Sequence, residues 1–286
     1  MSGQKADYAR PEVLVEVDWV EKHLNDPSVR IAEVDYDPQA NYTTGHIPGA
    51  VLIDWRRDMN DPVTRDIVSK EQLEQVLANL GFKENMTLVL YGDFNNWFAA
   101  FAFWIMKYYG LNNVKLMNGG RKKWLVSDKP VTKEIPTYPR ESIRLSEPDE
   151  TIRVYKEYVR SILKMKDKVL VDVRSPKEYT GEVLAPPEYP NEHAQRGGHI
   201  PGAVNIPWAL AVNDQDGTFK SREELEQLYR SRGITPDKEV ITYCRIGERS
   251  SHTWFVLTYL LGYPNVKNYD GSWTEWGNSV RFPIEK

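Results

Sequence analysis

The sequence predicts an α/β fold in two domains of one plan, each a mostly parallel sheet flanked by helices. Two observations carry this. First, the chain repeats itself. Residues 45–50 and 198–203 both read Gly-His-Ile-Pro-Gly-Ala, and three further landmarks recur 152 positions apart: Ser69 with Ser221, Tyr91 with Tyr243, and Trp124 with Trp276. A repeat this long marks duplicated domains rather than a solenoid, whose units run to about 20–50 residues. Second, short apolar runs alternate with capped helical segments, and strand–helix alternation implies a layered fold with a mostly parallel sheet.

The elements of the second half follow in order. Lys168 to Val173 reads as a short buried strand, and Val204 to Pro207 as a shorter one after a turn. Ser221 is an N-cap, and Glu224 three residues on completes a capping box. Glu239 to Tyr243 is a strand, followed by a polar loop and then a helix from Ser251 to Leu261 that Gly262 ends. Val266 to Tyr269 is the last strand. The first half repeats the plan: a helix opens at Ser69, Tyr91 ends an apolar run, and Trp124 follows a Gly-Gly turn. The stretch from Val131 to Pro148 holds Pro136, Pro139 and Pro148, several charges and no sustained apolar period. The expected organisation is a domain over 8–130, a linker over 131–151 and a second domain over 152–286.

The halves differ in two places. Asp35 and His46 stand 11 positions apart, but Asp172 and His199 stand 27 apart. The additional residues, 182–196, contain Pro186, Pro187 and Pro190 and read as a loop, either surface decoration or a flap. Tyr243 is followed by Cys-Arg-Ile-Gly-Glu-Arg-Ser, whereas Tyr91 is followed by Gly-Asp-Phe-Asn-Asn-Trp-Phe. One copy holds a thiol and two arginines, and the other holds neither.

Composition narrows the function classes. With 41% hydrophobic and 12% aromatic residues, the 286-residue chain can bury substantial cores. A net charge of −4 gives no general pull toward nucleic acid or anionic membrane, so any anion must be held locally. No apolar run approaches the ~20 residues needed to cross a bilayer, and residues 1–10 lack a signal-peptide core. A soluble cytoplasmic protein is expected. One cysteine excludes a disulfide framework and a multi-cysteine metal site. The five histidines show no paired metal-ligand spacing, and no dinucleotide-binding or phosphate-loop glycine pattern is present. The nine tryptophans are scattered and read as packing residues.

The chemistry concentrates at Cys244, where a strand ends and a helix is about to begin. Ligands of open α/β sheets collect beyond the carboxyl ends of strands, and a helix N-terminus offers free N–H groups and partial positive charge. A loop curled around Cys244 aims those donors at the sulfur. Arg245 and Arg249 add charge, and Gly247 permits the curl. These effects favour thiolate, so a depressed pKa is expected for Cys244. The same cradle suits an anionic substrate, with Arg249, Arg245 and Gly247 as the candidate substrate-binding residues. Asp172 and Arg174 read as a structural ion pair beside the loop. His46 and His199, shared by both halves, read as structural, and His252 as a helix-face residue packed on the sheet. Cysteine phosphatases carry a related loop, Cys-x5-Arg-[Ser/Thr]. Here the spacing is Cys244-x4-Arg249-Ser250, a smaller ring of donors that argues for a single transferred sulfur atom over a phosphate or arsenate.

With these residues in view, the chain resembles the tandem-domain rhodanese (thiosulfate sulfurtransferase) family. The resemblance rests on the two Gly-His-Ile-Pro-Gly-Ala segments, on Val171 to Arg174 with Glu178 and Tyr179, on the Cys244–Arg249 loop, and on Asp270 to Trp276. It implies two rhodanese domains, the first inactive and the second catalytic, with the site between them. The Gly92 that stands for a cysteine in the first half agrees with that division. Within the family, loops of Cys-Gly-Ser-Gly-Val type go with 3-mercaptopyruvate as donor, and the two arginines here better suit dianionic thiosulfate. Glu248 departs from the most basic loops. Some relatives place a substrate-binding arginine just before the tyrosine that here is Tyr179, where this chain has Glu178.

The expected activity is transfer of sulfane sulfur from thiosulfate to a thiol or cyanide through a persulfide on Cys244, by covalent ping-pong catalysis without metal or cofactor. The competing readings are a 3-mercaptopyruvate sulfurtransferase, a cysteine-dependent phosphatase or arsenate reductase, and a non-catalytic sulfur-carrier module. A monomer or weak homodimer is expected, with no nucleic-acid or membrane partner.

Overall fold

A computed structural model describes residues 7–187 and 192–286 of the chain. It resolves into two compact units. One comprises residues 12–149 with 214–219. The other comprises 150–213 and 220–286, together with the N-terminal stretch ending at Pro11.

In the first unit the elements run β1 (Leu14–Val15), α1 (Val17–Lys22), β2 (Val29–Asp35), β3 (Val51–Asp54), α2 (Trp55–Asp58), α3 (Lys70–Asn79), β4 (Thr87–Tyr91), α4 (Trp97–Tyr108), β5 (Val114–Met117) and α5 (Gly120–Val126). The second unit follows with α6 (Lys156–Ser161), β6 (Lys168–Asp172), α7 (Pro176–Tyr179), β7 (Val204–Asn205), α8 (Arg222–Arg230), β8 (Glu239–Tyr243), α9 (Glu248–Phe255), β9 (Val266–Asn268) and α10 (Ser272–Asn278). All sheet pairings are parallel, in the orders β1-β5-β4-β2-β3 and β7-β6-β8-β9. Read from its opposite edge, the first order is β3-β2-β4-β5-β1, and the second repeats its first four places, so the two units share one topology apart from β1.

Local chemistry fixes the helix starts as expected. Ser69 and Ser221 both cap their helices in reciprocal capping boxes, with Gln72 and Glu224 as partners. The matched tryptophans lock equivalent turns: the Trp124 indole donates to Pro130 O and the Trp276 indole to Pro283 O. Tyr91 and Tyr243 end matched strands, and their hydroxyls accept from Ile47 N and Ile200 N at 3.0 and 3.1 Å. The first core gathers Ile31, Val89, Met117 and Trp124; the second gathers Leu170, Ile241, Trp273 and Trp276.

Three features differ from the sequence reading. The helix expected from Ser251 begins at Glu248, because Gly247 at φ 102° turns the chain straight into it, and it runs on into a π-helical turn over Val256–Leu260. The stretch expected as a linker runs along the first unit: His46 and Thr132 exchange backbone hydrogen bonds, Tyr138 donates to Gly49 O, and Leu145 N donates to Glu74. Finally, sheet register pairs Glu33 with Tyr91 and Asp172 with Tyr243. The counterpart of Asp172 is therefore Glu33, and Asp35 corresponds to Arg174. No helix among the described residues is long and apolar enough to cross a membrane.

Candidate active site

Cys244 is the first residue beyond β8, and its side chain is fully buried. Its N–H donates to Ser272 Oγ at 3.0 Å, and its carbonyl accepts from Trp273 N at 3.1 Å. The loop then curls back. Gly247 holds a positive φ that a side chain disfavours, and its N–H donates to Cys244 Sγ at 3.2 Å. Ser250 adds its N–H and hydroxyl to the field at the sulfur. The hydroxyls of Ser250 and Ser251 donate back to Gly247 O at 3.0 and 2.7 Å, pinning the curl onto the first turn of α9. Of the several donors expected from the sequence, the Gly247 N–H is directed at the sulfur and Ser250 adds to the field there.

The expected acidified thiol is absent. Burial pushes the Cys244 pKa up, and the Glu248 carboxylate pushes it further; Arg249 and the Ser250 donors act in the opposite direction without prevailing. The sulfur lies 3.5 Å from Glu248 Oε2, positioned to donate its proton there. The donors of the loop are visible in the sequence, but the cost of taking the whole loop out of water is not, residues 243 to 257 being buried without interruption.

The arginines are arranged differently from the simplest expectation. Arg249 turns its fork onto Glu178 in a buried bidentate pair, at 2.8 and 2.9 Å. Burial raises the Glu178 pKa, but the charge and hydrogen bonds of Arg249 outweigh it and bring that carboxyl to about 2. Arg249 Nε also lies 3.5 Å from Glu248 Oε1. Glu178, like Glu248, Ser250 and Ser272, is a site member that sequence reasoning misses. Its local signal was legible, since Ser175 and Glu178 form a capping box, but its second partner lies 71 positions away. Arg245 is fully buried in the loop. Arg174 pairs with Asp172 at 2.6 Å, as expected, donates to Gly198 O, and lies over the Trp273 ring.

The histidines take structural places. His46 stacks on Tyr42 and shares a hydrogen bond with Tyr42 O; His199 stacks on Tyr179 and does the same with Tyr179 O. His252 is buried one turn into α9, edge-on to Trp208, and burial lowers its pKa to about 3. Of the 182–196 insert, Pro190 lies outside the described residues. The arm at its end is tied to α10: Arg196 donates to Gly277 O and Ser279 O, and Trp273 Nε1 donates to Arg196 O. Among the described residues no group of three or more His, Cys, Asp or Glu side chains is arranged to hold a metal ion.

The first unit shows the same strand end without the thiol. Arg121 N donates to Gly92 O as Trp273 N does to Cys244 O, so Gly92 occupies the place of Cys244. Its N–H donates to Asn96 Oδ1 at 3.0 Å, where Cys244 uses Ser272. A Cβ built on Gly92 would lie 2.4 Å from Val34 O.

The comparisons with known proteins agree with this duplicated geometry. The rhodanese-like domain family matches residues 16–127 and again 155–279. The sulfur carrier protein TtuD of Thermus thermophilus is 59% identical over 98% of both chains. A protein of Haloferax volcanii, provisionally named a thiosulfate sulfurtransferase, is 54% identical over 98% of both. Among solved structures, the anaerobic ergothioneine biosynthesis enzyme of Chlorobium limicola, in complex with trimethyl histidine, superposes with a TM-score of 0.83 at 28% identity. That alignment covers 98% of this chain and 71% of the other. The EanB variant bearing a cysteine persulfide with ergothioneine superposes with a TM-score of 0.82 at the same identity and coverage. The chain therefore belongs to the rhodanese family of sulfurtransferases, with two rhodanese-like domains in tandem.

Proposed function

We propose that this protein is a thiosulfate sulfurtransferase that carries sulfur as a persulfide on Cys244, with the second unit catalytic and the first not. The observation that carries the reading is the closed loop from Cys244 to Arg249, with the Gly247 amide on the sulfur and two arginines within six residues. The thiolate attacks the outer sulfur of thiosulfate, the donor's S–S bond breaks, and its electron pair leaves with sulfite. A thiol or cyanide then attacks the outer sulfur of the persulfide, and the Cys244 thiolate leaves. Loop amides stabilise the anionic sulfur at each stage, the role that fixed donors play at any developing anion. Arg245 and Gly247 border the sulfonate, and Arg249, its fork held by Glu178, contributes charge at short range. No step requires a metal or cofactor, and a thiol that must stay reduced suits a cytoplasmic setting.

A second reading has support of its own. The relative from Thermus thermophilus is named a sulfur carrier, so a persulfide handed to a protein acceptor is the natural variant of this proposal. Two experiments test the reading. Thiosulfate and 3-mercaptopyruvate are compared as donors with cyanide as acceptor, and thiosulfate is expected to give the higher kcat/KM. Cys244→Ser is expected to abolish turnover with either; retained transfer in that variant excludes the mechanism. Hydrolysis of phosphate esters without sulfur transfer would favour the phosphatase reading instead.

A further inference from the structure

We propose that Glu248 is a catalytic residue, the proton acceptor that takes the Cys244 proton during sulfur loading and keeps it for the lifetime of the persulfide. The inference deepens the persulfide reading above and rests on it.

Three observations point to this role. Glu248 and Cys244 are both fully buried, and Sγ lies 3.5 Å from Oε2 in the direction of donation. A fully buried thiol cannot pass its proton directly to bulk water, so the proton needs an acceptor inside the site. Glu248 is also the first residue of the eight-residue helix α9, four positions after Cys244, so the curl of the loop brings its carboxyl back to the sulfur. The charged neighbours hold fixed places around the pair. On α9 and its loop, Arg249 turns its fork to Glu178 of α7 while its Nε lies 3.5 Å from Glu248 Oε1, leaving Oε2 to the thiol, and His252 is held neutral by burial; at the end of β6, Arg174 pairs with Asp172. Arg245 of the loop is buried beside them, and α10 meets the Cys244 backbone with the Ser272 hydroxyl and the Trp273 N–H.

The charge count explains what the arrangement achieves. At rest the pair is a neutral thiol and a carboxylate, one negative charge. When Sγ attacks the donor, its proton moves to Oε2, and sulfite departs with the electron pair of the broken S–S bond. The site then holds an anionic persulfide and a neutral carboxylic acid, again one negative charge. When the acceptor removes the outer sulfur, the Cys244 thiolate takes the proton back. Cys244 and Glu248 together never carry a second negative charge, which would be costly in a low dielectric. The elevated thiol pKa is then compatible with reactivity, because the proton crosses one 3.5 Å Sγ···Oε2 contact rather than passing to solvent.

The test uses the full chain and thiosulfate in single-turnover persulfide formation, followed by mass spectrometry from pH 6 to 9, for wild type, Glu248→Gln and Glu248→Asp. Infrared difference spectra are recorded on loading. Wild type is expected to load at a rate nearly independent of pH, with a new protonated-carboxyl band. Glu248→Gln is expected to load about 10²-fold more slowly at neutral pH, the scale of a general acid–base contribution. Its rate should climb tenfold per pH unit, and the band should be absent. Glu248→Asp should restore the flat profile in part, and it also guards against a Gln variant that fails to fold. Persulfide formation in wild type without the band, or a Gln variant with wild-type rate and profile, overturns the role of Glu248 and leaves the persulfide reading standing. A uniform slowing at every pH overturns it too, as a structural effect. Failure of wild type to load at all overturns the persulfide reading beneath it.

Discussion

The two strand ends that match across the repeat are built alike but hold different sets of charged groups. In both, a tyrosine closes the central strand with its hydroxyl on a backbone N–H, and the next residue's carbonyl receives an N–H from the helix after the last strand. In the second unit the loop opens with a cysteine, and Glu178 and Asp172 each face an arginine. In the first, Glu33, Asp35 and Asp93 gather around Arg121. Tyr91 hydrogen-bonds to Glu33 as well. Burial first, then the charge of Glu33, pushes the Asp35 carboxyl to about 9 and that of Asp93 to about 7. The loop itself differs: Phe94, Asn95 and Asn96 all take positive φ, and the Asn96 side chain fills the space beside Gly120, bonding Gly92 N and Met117 O. Loss of a cysteine is thus the smaller part of the difference. The first strand end has been filled and made acidic, whereas the second keeps an amide directed at a sulfur.

Substitutions at the two strand ends should separate them sharply. Cys244→Ala should reduce thiosulfate:cyanide turnover to the uncatalysed rate, because the first unit holds no second thiol; residual activity would show that the acidic strand end is not inert. Glu178→Gln leaves Arg249 buried without its carboxylate and should cost about 3–5 kcal/mol of stability, measured by urea unfolding. Gly92→Cys should not create a second sulfur site. Its Cβ meets Val34 O, and overpacking of that kind costs about 1–3 kcal/mol. Sulfur loading at position 92, read by peptide mass spectrometry, would contradict the account.

The two ends should also respond oppositely to pH. Glu178 has a folded pKa of about 2, below its ordinary 4.5. Its contribution to stability is present above pH 4.5 and lost as pH falls toward 2, and Glu178→Gln should flatten that acid limb. Asp35 has a folded pKa of about 9, above its ordinary 3.8. Its contribution is present below pH 3.8 and lost as pH rises through 9. Asp35→Asn should therefore leave the urea midpoint unchanged near pH 3.5 and raise it at pH 8. Equal shifts at both pH values would mean that Asp35 is ionised in the folded chain.

What the sequence revealed of this arrangement depended on distance along the chain. The duplicated topology, the helix start at Ser69, the Ser221–Glu224 capping box, the Asp172–Arg174 pair and the curl at Gly247 are all set by residues a few positions apart, or by their repetition. The Arg249–Glu178 pair is not, because a loop residue and a short helix 71 positions earlier meet only once the sheet has formed. The same holds for the register. Asp35 looks like the partner of Asp172 by residue type, yet strand pairing gives that place to Glu33, and the arginine that answers Glu33 comes from Arg121 on α5 rather than from the strand itself. The state of the thiol was misjudged for a related reason. Donors near Cys244 can be read from the loop, but its complete burial is a property of everything packed around it.

Sulfur loading without a partner bears most directly on these conclusions. Intact-protein mass spectrometry after incubation with thiosulfate alone should show a gain of about 32 Da, one sulfur atom per chain. The gain should map to Cys244 and disappear on adding cyanide. An unchanged mass under conditions where the folded protein is intact would contradict the account.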